Sequence, residues 1–133
     1  MDKYVFFAVF TPSEEGGHTI TFPDLPGCIT EGDDIEEEMR NAKEALGLHL
    51  FGMEEDKEEI PNPSKGENIE LEKGQFLVPI VVYMKNIRKD LDNKAVSKTI
   101  TIPRWLKREA ESQKINFSGV LQRALKKELG IEE

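Results

Sequence analysis

From Tyr4 to Phe10 the chain is apolar at every position, the pattern of a central strand covered on both faces. Thr11-Pro12 closes that run and Ser13 to Gly17 is a polar turn. His18 to Phe22 then alternates, which predicts a hairpin with Ile20 and Phe22 facing inward. Pro23 to Gly27 reads as a second turn, and Cys28 to Glu31 as a short third strand antiparallel to the second. Asp33, with Glu36 three residues on, predicts a capped helix start. Ile35, Met39, Ala42, Leu46, His49 and Met53 recur at three- and four-residue steps, an amphipathic helix ending near Gly52. An acidic, proline-containing loop follows, and Gln75 to Tyr83 is an apolar strand whose Pro79 implies a bulge or a sheet edge. The order βββαβ predicts an α+β domain of one sheet with the helix on a face. Its last strand is expected to lie parallel to the first through a right-handed crossover. Residues 85–95 have the polarity of a linker, although Ile87 and Leu91 suit a short helix.

Beyond that linker the pattern starts again. Val96 to Pro103 predicts a strand with Ile100 and Ile102 on one face and Ser97, Thr99 and Thr101 on the other. Pro103 opens a helix over 104–114 carrying Leu106 and Ala110, with Trp105 beside them. Asn116 is the expected cap of a second helix, onto whose Val120 Ile115 is placed to staple. Val120, Leu121, Ala124, Leu125 and Leu129 form its apolar face, and Gly130 its end. One strand and two short helices cannot bury enough surface alone, whereas two copies pairing their strands can, so this part is expected to be a homodimer. The paired strands present Ser97, Thr99 and Thr101 on a ribbon that fits the major groove of B-DNA. Asn116 to Ser118, at a helix N-terminus, suits a flanking phosphate. Threonine is favoured in any solvent-facing ribbon; the two helices that follow tilt the reading toward DNA. Lys98 falls on the core side by alternation, with a stem long enough to reach a phosphate, and Arg104, Lys107 and Lys114 suit either solubility or phosphate contact.

Charge divides the 133-residue chain at the same place. The net charge of −8 argues against nucleic acid, yet residues 1–94 sum to −11 and residues 95–133 to +3, so only the second part suits phosphates. The single cysteine, Cys28, cannot form an internal disulfide, and two histidines, His18 and His49, do not make the clustered ligands of a zinc site. No metal or cofactor is expected. Cys28 reads as a packed residue, His49 as a structural histidine on the apolar stripe, His18 as exposed, and Glu36, Glu37 and Glu38 as a solvated run. Without an apolar block of membrane or signal-peptide length, a cytoplasmic protein with no membrane partner is expected.

Two sets of residues together resemble the HicB-type antitoxins. At the front stand Phe22-Pro23-Asp24-Leu25-Pro26-Gly27-Cys28, Glu31-Gly32-Asp33-Asp34 and Asn41-Ala42-Lys43-Glu44-Ala45-Leu46. At the back stand Lys98-Thr99-Ile100-Thr101-Ile102-Pro103-Arg104-Trp105 and Ile115-Asn116-Phe117-Ser118-Gly119-Val120-Leu121-Gln122-Arg123-Ala124-Leu125. The resemblance implies a partial ribonuclease-H-like, toxin-binding domain over 1–84, a linker over 85–95 and a ribbon-helix-helix (βαα) domain over 96–133. It implies an antitoxin of a type II HicA/HicB-like system that neutralises a small, basic HicA-type ribonuclease toxin. Operator DNA, bound to repress its own operon, and a homodimer or tetramer complete the implied partners. The motifs do not say which residues face the toxin. A second reading is a stand-alone ribbon-helix-helix regulator whose N-terminal domain senses a ligand or assembles the oligomer. An enzyme is not expected. A ribonuclease-H-type site needs several carboxylates converging on metal ions, and the first strand has no Asp or Glu between Asp2 and Glu14, nor the fourth between Glu72 and Asp90.

Overall fold

The structure, a computed structural model, describes residues 2–131. The chain divides into two compact units, residues 1–94 and 95–133. In the first, β1 (Lys3–Pro12), β2 (His18–Thr21), β3 (Ile29–Gly32) and β4 (Phe76–Tyr83) form one sheet in the order β3-β2-β1-β4. The apolar run 4–10 is its inner strand, as its two-faced hydrophobicity demands. Phe6, Ala8 and Phe10 are fully buried and pack with Ile20, Phe22, Leu25, Ile80 and Val82. The helix α1 (Ile35–Glu55) closes that face with Ala42, Leu46 and Leu50, all fully buried. A core of this kind loses about 2–5 kcal/mol when one buried leucine is cut to alanine.

Several details depart from the pattern-based expectations. The cap of α1 is Asp34 rather than Asp33: its side chain accepts the Glu37 N–H at 2.9 Å, while the Glu37 carboxylate accepts the Asp33 N–H. The box is the expected one moved along by a residue. Gly52 does not end the helix, which runs on to Glu55. More consequentially, β4 lies antiparallel to β1, with Lys3 opposite Tyr83 and Phe10 opposite Phe76, not parallel as expected. The reason lies in the connection. α1 runs back along the sheet for about 30 Å, and residues 56–75, instead of turning tightly into a strand, retrace that length before β4 begins. Along the way Asp24 accepts both the Ser64 N–H (2.7 Å) and the Ser64 hydroxyl (2.6 Å). Gln75 donates to the Thr11 hydroxyl. Pro79 sits in unbroken register opposite Phe7 on this edge strand, so of the two expected outcomes it marks the edge.

In the segment expected as a linker, the short helix that Ile87 and Leu91 suit is present. Met84–Asp92 forms α2 directly after β4. Met84 is fully buried and its N–H donates to the Asp2 carbonyl at 2.6 Å. Ile87 lies so close to Gly47 of α1 that a methyl there would come within 2.8 Å of it. Met84 and Ile87 pack this helix against the rest of the first unit.

In the second unit the helices α3 (Arg104–Ser112) and α4 (Phe117–Leu129) stand close to where expected. Asn116 caps α4 by accepting the Gly119 N–H at 3.1 Å, and Gly130 ends it with φ of +72°. The expected strand over 96–103 does not form in the single chain: residues 95–103 carry neither strand nor helix. A strand needs a neighbour to take its N–H and C=O groups, and the described residues of this unit contain no strand to pair with it.

Candidate functional site

The five residues expected to meet DNA all lie in the second unit and all are exposed. Ser97, Thr99 and Thr101 belong to the irregular segment 95–103, and Asn116 and Ser118 to the start of α4. The Asn116 side-chain oxygen is committed to capping, and the Ser118 hydroxyl accepts from Gln122 at 3.4 Å. What remains open at that end is backbone N–H with the positive end of the helix dipole. Around these residues the apolar side chains have no cover. Ile100, Trp105, Leu106, Ile115, Phe117, Val120, Leu125 and Leu129 are all exposed, Leu129 by 72%. No residue of α3 or α4 is buried. Exposed apolar side chains in this number on two short helices suit an association surface.

The first unit holds a different chemistry. Glu38, read from the sequence as solvated, is 1% exposed, because α1 lays it against β2. Both of its carboxylate oxygens lie within 2.7–2.9 Å of His18 Nδ1. The His18 ring, half-buried rather than exposed, packs beside Phe10 and Phe76. Close approach makes the contact possible. Gly32 passes α1 so tightly that a Cβ would fall 2.8 Å from the Glu38 backbone nitrogen, and Gly17, at φ +68°, lies against the Gly32 carbonyl. Helical periodicity alone does not reveal a buried acid.

Arg88 of α2 joins three elements. Its guanidinium donates to the Glu54 carboxylate through Nε at 2.9 Å and Nη2, and to Asp2 through Nη1 at 2.8 Å. These bonds hold the Glu54 and Asp2 carboxyls below the usual carboxylate range and push Arg88 further up. Cys28 is buried, its Sγ 3.6 Å from the Ala45 carbonyl, and burial pushes its thiol up to about 11. It is therefore a packed residue rather than a nucleophile. His49 is half-buried on α1. Among the described residues no three His, Cys, Asp or Glu side chains converge to hold a metal ion, and no helix is long and apolar enough to cross a membrane.

The front motif thus acts structurally. Phe22, Leu25 and Cys28 plug the core, two backbone bonds (Leu25 to Phe22 and Cys28 to Leu25) fold the turn, and Asp24 ties down the long loop.

Comparison with known proteins agrees with this architecture. Residues 6–124 match the family described as HicB-like antitoxin of bacterial toxin-antitoxin system. An uncharacterised 14.9 kDa protein of Haemophilus phage HP1 is 43% identical over 67 residues, 49% of this chain and 50% of that protein. Antitoxin HicB of Escherichia coli K12 is 43% identical over 54 residues, 41% of this chain and 39% of that protein. The matched part spans half or less of those two relatives. In fold, the chain resembles a chain of a toxin-antitoxin complex from Streptococcus pneumoniae, with a TM-score of 0.61 and 22% identity over 95% of this chain and 99% of that one. With the family match covering nearly the whole chain, in both units, the protein belongs to the HicB-like antitoxins of bacterial toxin-antitoxin systems.

Proposed function

We propose that residues 1–94 bind and neutralise a small, basic ribonuclease toxin of the HicA type, and that residues 95–133 form a ribbon-helix-helix homodimer that binds operator DNA and represses the toxin-antitoxin operon. The first unit then serves as a binding scaffold, a partial ribonuclease-H-like βββαβ order with its last strand reversed. Its charge of −11 favours a cationic partner and speeds encounter with it.

The observation that carries the DNA-binding half is the uncovered apolar surface of the second unit. A second copy supplies both missing parts: a strand to pair with 96–103 and helices to cover Ile100, Leu121 and Leu125. Pairing places Ser97, Thr99 and Thr101 outward on a two-stranded ribbon, the shape that enters the major groove. The +3 charge of this unit suits phosphate contact. Further pairing of dimers into tetramers would duplicate that footprint along an operator.

The test uses the full chain and the gene beside it. Co-expression with the neighbouring toxin gene is expected to restore growth and yield a complex that co-purifies. Gel shifts on the upstream DNA are expected to give a discrete complex that scrambled DNA does not. Loss of both results overturns the proposal; loss of one removes the unit assigned to it.

A further inference from the structure

The sheet of the first unit has two open edges, and they differ. At the β4 edge, Pro79 lacks an N–H to offer a neighbouring strand, and the groove of about 350 Å³ between this edge and α1 is lined by Met39, Arg40 and Lys43 as well as Pro79, Ile80 and Val81. At the other edge, β3 (Ile29–Gly32) contains no proline. The groove of about 290 Å³ between β3 and α1 is lined by Thr30, Asn41, Glu44, Ala45 and Leu48. Among the described residues no lysine or arginine lines it. Large apolar side chains are left open on both elements, Ile29 by 61% and Leu48 by 49%. Asn41 braces the edge from the helix, donating to the Glu31 carbonyl at 2.8 Å. Neither Glu31 nor Glu44 has an ion-pair partner among the described residues.

We propose that the β3 edge, with Ile29, Glu31, Glu44 and Leu48 around it, is the docking surface for an extended cationic segment of a partner protein, which adds to the sheet as a fifth strand. This deepens the toxin-binding reading and rests on it: the occupant is the toxin. Main-chain hydrogen bonds to an open edge supply affinity, while alternate side chains supply specificity. Here Ile29 and Leu48 offer the apolar contact and Glu31 and Glu44 the charge. Charge decides between occupants. A second copy of a unit carrying −11 is repelled from the unpaired Glu31 and Glu44 carboxylates beside this edge, as is nucleic acid, whereas a basic segment is attracted. The same sign argument directs that segment to β3 rather than to the Arg40–Lys43 side.

The experiment measures affinity of the full chain for the toxin encoded beside it, in catalytically inactive form, by titration calorimetry. Glu44→Arg combined with Leu48→Arg alters exposed positions only. It is expected to weaken binding at least about a hundred-fold with an unchanged melting curve. Arg40→Glu with Lys43→Glu, on the β4 side, is expected to bind as wild type. Amide exchange on the wild-type complex is expected to show new protection over Ile29–Gly32 and none along β4, and it stands as the test should the double-arginine variant not fold. Wild-type affinity in the β3-side variant, an equal loss in the β4-side variant, or protection confined to β4 overturns the docking surface while the toxin reading stands. Failure of the wild-type chain to bind the toxin overturns both.

Discussion

In residues 1–94 Phe6, Phe10, Ile20, Leu46 and Leu50 are fully buried within one chain; in residues 95–133 Trp105, Phe117, Leu125 and Leu129 are exposed by 43–72%. Helical propensity does not explain the contrast, since α3 and α4 are bounded by proline, asparagine and glycine signals as clear as those of α1. The difference is one of geometry. A four-stranded sheet and a 21-residue helix enclose a volume between two layers. Two short helices with an unpaired extended segment enclose none. The first unit encloses its own core, whereas the described residues of the second enclose none. That contrast supports the proposed division of labour, in which the first unit binds the toxin as it stands and the second assembles before it binds DNA.

The contrast is open to attack at its strongest point. Leu46→Ala is expected to cost the first unit about 2–5 kcal/mol, with a melting temperature independent of protein concentration. Leu121→Ala is expected to cost a similar amount per chain in residues 95–133, and there each tenfold dilution is expected to lower stability by about 1.4 kcal/mol. Thermal melts across a dilution series decide. A second unit that stays folded and monomeric at micromolar concentration breaks the comparison.

Next in size is the effect on the proposed DNA-facing ribbon. Changing Thr99 and Thr101 together to Ala leaves Ile100 and Ile102 in place and is expected to weaken operator binding by about 1–3 kcal/mol for each base edge that no longer has its hydrogen-bonding partner. Weak binding to scrambled DNA and its salt slope are expected to hold, as is toxin neutralisation. Gel-shift titrations at two salt concentrations, with a growth-rescue assay beside them, read all three; equal weakening on both DNAs removes the threonines from base recognition.

Smaller again is the effect of His18→Ala. It strands the buried Glu38 carboxylate and is expected to destabilise the first unit by about 1–3 kcal/mol, seen in urea unfolding of residues 1–94. Changing Glu38 to Leu as well is expected to recover part of the loss, because the unpaired carboxylate is then gone. No recovery would show that the contact is packing alone.

The smallest effect concerns Arg88. The Glu54 carboxyl is held below its ordinary value by the Arg88 hydrogen bonds. Its contribution is therefore present in full above the ordinary carboxylate pKa and is lost as pH falls through the lowered value. Glu54→Gln is expected to reduce stability slightly at neutral pH and to flatten the acid limb of the stability profile of residues 1–94. An unchanged acid limb would leave the Arg88 hydrogen bonds without a measurable share.

A fragment that keeps these contacts ends at residue 94, not 84. Stopping at 84 removes Ile87 from Gly47 and Arg88 from Glu54, partners supplied by a segment whose composition suggests a linker with room for a short helix.

Strands β1 to β3, the long helix, the Asn116 cap and the Gly130 stop were legible in the chain, because period-two and helical spacing, caps and turn residues act over a few neighbours. So was the split in charge, which is additive along a sequence. Not legible were the antiparallel course of β4, the burial of Glu38 against His18, the tie from Asp24 to Ser64, and the joining of Asp2, Glu54 and Arg88. Each depends on residues 20 to 86 positions apart, brought together by the path of a long loop or by one helix crossing one sheet. Local pattern carries no information on such meetings. The segment 96–103 makes the same point from the other side. Its alternation reads as a strand, yet in a lone chain it remains irregular, because a strand is completed by the hydrogen bonds of a neighbour and its sequence supplies only one side of them.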